Sequence, residues 1–197
     1  MTDQVDLKKR QFLVNATAVC GLAGVVGAAA PFIKSMMPSR KEDALSTVTV
    51  DVKQMKPGEQ KTVLWQHKPV FIIRRTKEEL QQLEEQNNEL RDPNSDTKQQ
   101  PNYAKNIWRS RNPEFLVVLG VCTHLGCAPT YRPDTGKKDF SEDWKGGFFC
   151  SCHGSKFDLS GRVFKNVPAP TNLEVPEHYY DENTELLVIG KNAREEG

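Results

Sequence analysis

Four of the five cysteines fall between Cys122 and Cys152, and two of the four histidines fall with them. They form two groups, Cys122-Thr123-His124-Leu125-Gly126-Cys127 and Cys150-Ser151-Cys152-His153-Gly154-Ser155. Each group puts a soft thiolate donor and an imidazole on one tight loop, and each holds an additional cysteine. Four chemistries are open to such a set. Two disulfides suit an oxidising compartment but leave the paired histidines without a role. A structural zinc site takes two Cys and two His near a tetrahedron. A Cys–His nucleophile needs one such pair, and here there are two. A 2Fe–2S cluster with Cys₂ on one iron and His₂ on the other takes one Cys and one His from each loop.

The rest of the chain must position these loops. It has 197 residues, 27 basic and 26 acidic, for a formal net charge of +1. That balance excludes a nucleic-acid binder, which needs a basic excess to neutralise phosphates. A hydrophobic fraction of 37% excludes a polytopic membrane protein. The apolar residues are unevenly spread, however. No Asp, Glu, Lys or Arg occurs from Gln11 to Ile33.

Phe12–Ile33 is 22 residues long. As a helix it would measure about 33 Å, the thickness of a bilayer's hydrocarbon core. A cleaved secretory signal is the alternative, with Ala28-Ala29-Ala30 as its cleavage site. The apolar run is longer than the usual signal core, and Pro31 would follow the cut. Retention as a membrane anchor is therefore the expectation. Lys9-Arg10-Gln11-Phe12-Leu13 is similar to a Lys-Arg variant of the twin-arginine export signal, a pathway for folded proteins. Basic residues flank both ends of the span almost equally, so charge alone does not orient it. Gly24 and Ala28 give a small-xxx-small spacing suited to helix packing. Cys20 reads as an inert apolar residue.

Residues 34–45 form a polar connector, read as a tether. From Ser46 the pattern turns to period two. Val48, Val50 and Val52 predict a strand, and so do Lys61–Trp65, Val70–Arg74, Phe115–Val121 and Gly147–Cys150. Thr76-Lys77-Glu78-Glu79 predicts a capped short helix with Leu80 and Leu83 on one face. Arg91–Asn106, interrupted by Pro93 and Pro101, reads as loop. Tyr179–Asp181 and Leu186–Ile189 read as a closing hairpin. The expected fold is mostly β, an antiparallel sandwich or open barrel behind one N-terminal transmembrane helix.

Taken together, the two Cys/His groups resemble the cluster loops of Rieske iron–sulfur proteins, of the kind found in cytochrome bc complexes. The resemblance extends to the anchor, to Gly161-Arg162-Val163, and to Pro168-Ala169-Pro170 followed by Asn172-Leu173. It implies one 2Fe–2S cluster in an inserted subdomain at about 120–170. Cys122 and Cys150 would hold one iron and His124 and His153 the other, with a Cys127–Cys152 disulfide clamping the loops. It implies an electron-transfer subunit of a bacterial quinol–cytochrome c oxidoreductase. Its partners would be a cytochrome b subunit, a c-type cytochrome, quinol and the bilayer, within a homodimeric complex, and no nucleic acid. His153 would take the quinol proton. The expected organisation is a cytoplasmic segment 1–11, a single span 12–33, the tether 34–45 and a head 46–197. A disulfide persists best in an oxidising space, so the head is expected in the periplasm and the span in the inner membrane. The alternatives are an anchored Rieske protein of another redox assembly and an exported zinc-stabilised binding module.

Four further residues belong to the implied cluster environment. Ser155 would donate to a bridging sulfide of the cluster, Leu125 would cap the cluster, and Pro168 lies in a covering loop. Phe157 stands where high-potential members carry Tyr, so that hydroxyl is missing. Val167 stands where the family has Gly, which puts close backbone approach there in doubt. His67 and His178 have no motif company and read as turn and hairpin residues. Trp108 and Trp144 read as packing.

Overall fold

The computed structural model describes residues 6–36, 47–182 and 184–191. Residues 1–5 of the export segment and 37–45 of the tether lie outside them. The chain divides into a unit Met1–Ala44 and a unit Leu45–Gly197.

In the first unit, α1 spans Leu7–Ser35 and so runs past the apolar segment at both ends. Asp6 starts it: its carboxylate accepts from the amides of Lys8 at 3.1 Å and Lys9 at 3.3 Å. Two of the orphan donors of a helix start are thereby satisfied. Pro31 stays within the last turns, where it removes one ladder bond but does not end the helix. None of the helix is buried in protein, and Phe12, Leu13, Val25, Phe32 and Ile33 are all exposed. An all-round apolar helix of this length needs a solvent other than water, and its internally satisfied backbone suits lipid.

The second unit is built of eleven short strands. Strands β1 (Val48–Val50), β10 (His178–Tyr180) and β11 (Leu187–Ile189) form one antiparallel sheet in the order β1-β11-β10. Strands β2 (Gln60–Trp65), β3 (Lys68–Arg74) and β4 (Phe115–Leu119) form a second, in sequence order. The β2–β3 turn is two residues, Gln66 and His67, both at positive φ (47° and 62°). That is the backbone a two-residue hairpin favours, so His67 does sit in a turn. Between β3 and β4, α2 (Lys77–Glu85) opens on the expected capping box. Thr76 Oγ1 accepts from the Glu79 amide, and the Glu79 carboxylate accepts from the Thr76 amide. Arg91–Asn106 is irregular apart from one 3₁₀ turn at Asn102–Ala104.

Strands β3 and β4 have cores on both faces, and their period of two sorts the side chains. Val70, Ile72, Phe115, Val117 and Leu119 pack with Val50, Leu187 and Ile189 of the first sheet. The alternate residues Phe71, Ile73, Leu116 and Val118 face the other way, onto a third sheet. That sheet consists of β5 (Thr130–Arg132), β8 (Gly147–Cys150) and β9 (Ser155–Phe157) in the order β5-β8-β9. Its core side holds Phe148, Phe157, Val163, Phe164 and Leu173. Phe71 and Phe148 stack across the boundary, with centroids 6.1 Å apart. A two-sheet sandwich thus carries a smaller subdomain on its outer face.

Strands β6 (Gly136–Lys138) and β7 (Ser141–Trp144) make a separate hairpin that the sequence reading missed. Their residues are mostly polar, without an alternating apolar face, and the turn between them packs through Phe140 onto Phe149 and Trp144. Trp144 anchors the hairpin. It is buried, and its indole N–H donates to the Arg132 carbonyl at 2.9 Å, a packing role as expected.

Candidate metal centre

Both cluster loops are made the same way. In the first, after β4, the Gly126 amide donates to the Cys122 carbonyl at 3.0 Å. In the second, joining β8 to β9, the Gly154 amide donates to the Cys150 carbonyl at 2.9 Å. Each turn closes over five residues and ends on a glycine at positive φ, 83° and 76°. The left-handed backbone is what reverses the chain there, and a Cβ would strain it. Gly120, just before the first loop, has a different role. A Cβ there would collide with the Phe71 ring.

These turns sort the donors by depth. Cys122 and Cys150 are buried and remain free thiols. Cys127 and Cys152 are bonded to each other, joining the loops across 25 residues. The Cys150 sulfur lies within 4.8 Å of both disulfide sulfurs, but a bonded pair offers no thiolates, so those three make no metal site. His124 is partly buried and His153 exposed. Their rings meet edge to face with centroids 4.8 Å apart. The Nδ1 of His124 is buried and makes no hydrogen bond. An unpartnered buried imidazole nitrogen is costly unless something binds it.

The inner thiols are also held electrostatically. Burial pushes the Cys122 thiol up, and the adjacent Cys150 pushes the same way. The neighbouring His124 amide and Ser155 hydroxyl oppose that rise. Ser155 is fully buried, and its oxygen accepts from the Ala169 amide at 3.0 Å. Its own proton is thereby left for the sulfur side of the site.

The covering loop closes the site from the other side. Thr123 Oγ1 donates to the Thr171 carbonyl at 2.7 Å, tying the first cluster loop to it. Asn172, wholly buried, accepts from the Val163 amide at 2.9 Å and donates to the Asp92 carbonyl at 3.0 Å. Val167 is buried in the same core cluster as Cys122 and Cys150. Its φ is not positive, unlike that of Asn166 at 57°. The backbone dihedral at position 167 therefore does not require glycine. Leu125 is 70% exposed at the tip of the first loop, and Pro168 is exposed on the covering loop. Phe157 is fully buried on β9, in that same core cluster.

Behind the second loop lies a charged network that sequence reasoning did not find. Asp158 and Arg162 form an ion pair at 2.7 Å with both side chains fully buried. Arg162 also donates to the Asn87 side chain and the Leu83 carbonyl. Arg75 and Arg109, buried too, donate to Ser160 and Gly161 in the same turn. Burial holds both guanidinium groups down, to about 10. Gly161-Arg162-Val163 was a visible signal, but nothing in the sequence says where its partners lie. The buried His178 is likewise more than a hairpin residue. Its amide donates to Tyr103 Oη at 2.8 Å, and Nδ1 lies 2.9 Å from the Pro176 carbonyl.

The donor set is thus two buried thiols held apart from a disulfide and two imidazoles on the open side. Tetrahedral S₂N₂ sets suit zinc or iron–sulfur chemistry alike. Comparison with known proteins separates the two. Residues 46–177 match the model of the Rieske [2Fe-2S] domain. Residues 1–39 match that of the ubiquitinol-cytochrome C reductase Fe-S subunit TAT signal. The ubiquinol-cytochrome c reductase iron-sulfur subunit of Allochromatium vinosum is 50% identical over 185 residues, covering 93% of this chain and 89% of that one. The chain belongs to the Rieske iron–sulfur subunits of ubiquinol–cytochrome c reductase. The mitochondrial Rieske-3 subunit of Nicotiana tabacum is 45% identical over 158 residues, 80% of this chain and 52% of its own. The chain thus spans about half the length of that plant relative.

As a Rieske subunit it is an electron-transfer component of a cytochrome bc complex and carries a Rieske-type 2Fe–2S cluster. The donor set fits that cluster. Two buried cysteines would offset ferric charge as thiolates, and the two histidines on the open side would complete the set. The twin-arginine signal and the apolar helix fit a membrane-anchored subunit with an exported head.

Proposed function

We propose that this chain oxidises ubiquinol at the inner membrane and passes one electron to a c-type cytochrome, with its head in the periplasm. Cys122 and Cys150 hold the inner iron, and His124 and His153 the outer. Burial of the free cysteines and exposure of the histidines support this division. The carrying observation is the meeting of His124 and His153 from the two disulfide-joined loops that also carry the free thiols.

When bound, the cluster supplies a one-electron acceptor at about −150 to +300 mV, above all-cysteine plant-type centres. The residues supply the rest. Each imidazole would hold iron through one ring nitrogen and carry a removable proton on the other, and the buried, unpartnered Nδ1 of His124 suits it to be the iron-facing atom there. His153, the exposed member, would accept a hydrogen bond from the quinol hydroxyl at its outer ring nitrogen once that nitrogen is deprotonated, and take the quinol proton there as one electron leaves. Quinol must lose two electrons and two protons, so the second electron goes to a b-type haem of the cytochrome b partner. Leu125 and Pro168 present an apolar rim around His153 that excludes water and docks the partner subunits. Segment 34–45 is the tether that lets the head reach its electron acceptor, and the complex is a homodimer.

The test is purification of the tagged full-length chain from its own membranes in mild detergent. The reading predicts co-elution of b- and c-type haem, and reduction of the c haem on adding ubiquinol. Purification with neither haem, or no reduction by ubiquinol, contradicts it.

A further inference from the structure

The Ser155 hydroxyl is aimed by a loop that is itself held from outside. Of Pro168, Ala169 and Pro170, only Ala169 has an amide N–H, and it is donated to Ser155 Oγ at 3.0 Å. The loop's carbonyls turn the other way, towards Arg91. The Arg91 guanidinium donates to the Val167 carbonyl at 3.1 Å and, over a longer 3.4 Å, to that of Pro170. These two carbonyls bracket Ala169. Arg91 is itself fixed, because its amide donates to the Val163 carbonyl at 2.9 Å and Leu90 bridges Phe164. The chain of contacts runs from Arg91 through the loop to Ser155, which pairs with Cys150 across β8 and β9.

We propose that Arg91 is a positioning residue for the cluster. By clamping the Val167–Pro170 loop it keeps the Ala169 amide on Ser155 Oγ, which leaves the hydroxyl proton directed at sulfur. Two physical effects follow. A hydroxyl that accepts one bond is polarised and donates a stronger one. Its rotor is also restricted, because the oxygen side is spent on the amide. If the amide retreats, the buried hydroxyl turns to a backbone carbonyl and the sulfur loses its donor. Hydrogen bonds to cluster sulfurs favour the reduced, more negative form, so losing one lowers the potential. An exposed arginine on the loop's outer side thereby tunes an electron acceptor that it does not touch. The proposal rests on the reading of Ser155 as a sulfur donor.

The test is an EPR-monitored redox titration of the membrane-bound complex carrying Arg91→Ala, Arg91→Lys, Ser155→Ala, or Arg91→Ala with Ser155→Ala. Arg91 is exposed, so its replacement leaves the core intact. Ser155→Ala is expected to lower the midpoint potential, and Arg91→Ala to lower it by less. The double variant should match Ser155→Ala alone, and Arg91→Lys, which keeps one donor for Val167, should fall between wild type and Arg91→Ala. A wild-type potential in Arg91→Ala, or a double variant in which the two shifts simply add, overturns the role of Arg91 and leaves Ser155 standing. No shift in Ser155→Ala overturns the donor reading, and the proposal with it.

Discussion

His124 and His153 reach the same place from two separate loops, their rings edge to face with centroids 4.8 Å apart. Neither loop alone could do this. The Cys127–Cys152 bond joins them, and the paired five-residue turns ending at Gly126 and Gly154 set their depth. The imidazoles therefore finish the open side of a site whose buried side is two thiols.

The clamp between the loops should be measurable as stability. Closing 25 residues restricts the unfolded chain by about 3–4 kcal/mol on the chain-entropy view. Replacing Cys127 and Cys152 together by Ala should lower the unfolding free energy of the solubilised holoprotein by that order. Denaturant unfolding followed by the cluster's visible absorbance checks this. An unchanged midpoint would show that other contacts hold the loops.

Phe157 is buried against the cluster side of the core and lacks a hydroxyl. Phe157→Tyr should supply one donor to the Cys150 sulfur. A net hydrogen bond of about 0.5–1.5 kcal/mol corresponds to roughly 20–65 mV for a one-electron couple. Redox titration of the variant should show an upward shift of that size, and no shift removes the argument.

The Asp158–Arg162 pair lies under the turn that follows β9, with both side chains out of water. Arg162→Met leaves a buried carboxylate without its cation, which costs about 3–5 kcal/mol. Thermal loss of the cluster's absorbance should come at markedly lower temperature. A melting temperature like that of the wild type would mean that the main-chain donors of Ser160 and Arg162 suffice for Asp158.

His178 should make stability depend on pH. Burial holds its imidazole down to about 4, against 6.5 for the free group. The folded state therefore favours the neutral ring, while the unfolded chain takes up a proton below pH 6.5. Stability is full above that value and falls as pH drops from about 6.5 to about 4, by about 3 kcal/mol. Replacing His178 by Gln should flatten the profile in that window. Equal slopes for the two proteins would place the titration elsewhere.

The parts read correctly from sequence were those whose physics is local. The capping box at Thr76 and Glu79, the alternation of β3 and β4, and the Cys/His loops each lie within a few residues. The double-sided burial of β3 was not legible, because Val70–Arg74 gives a continuous apolar run whichever face meets which sheet. Strands β5, β6 and β7 were missed because Thr130–Trp144 is mostly polar and packs through Phe140 and Trp144. The Ala169 amide was invisible for another reason: main-chain donors have no signature in residue type.

The central claim is that two thiolates and two imidazoles hold one 2Fe–2S cluster whose electron uptake is tied to a proton. An EPR-monitored redox titration of the purified chain across several pH values tests it most directly. The account predicts a signal that appears on reduction and a midpoint that falls with rising pH once an imidazole ionises, approaching about 59 mV per unit. A protein that is EPR-silent on reduction, or a midpoint flat through the alkaline range, would contradict it.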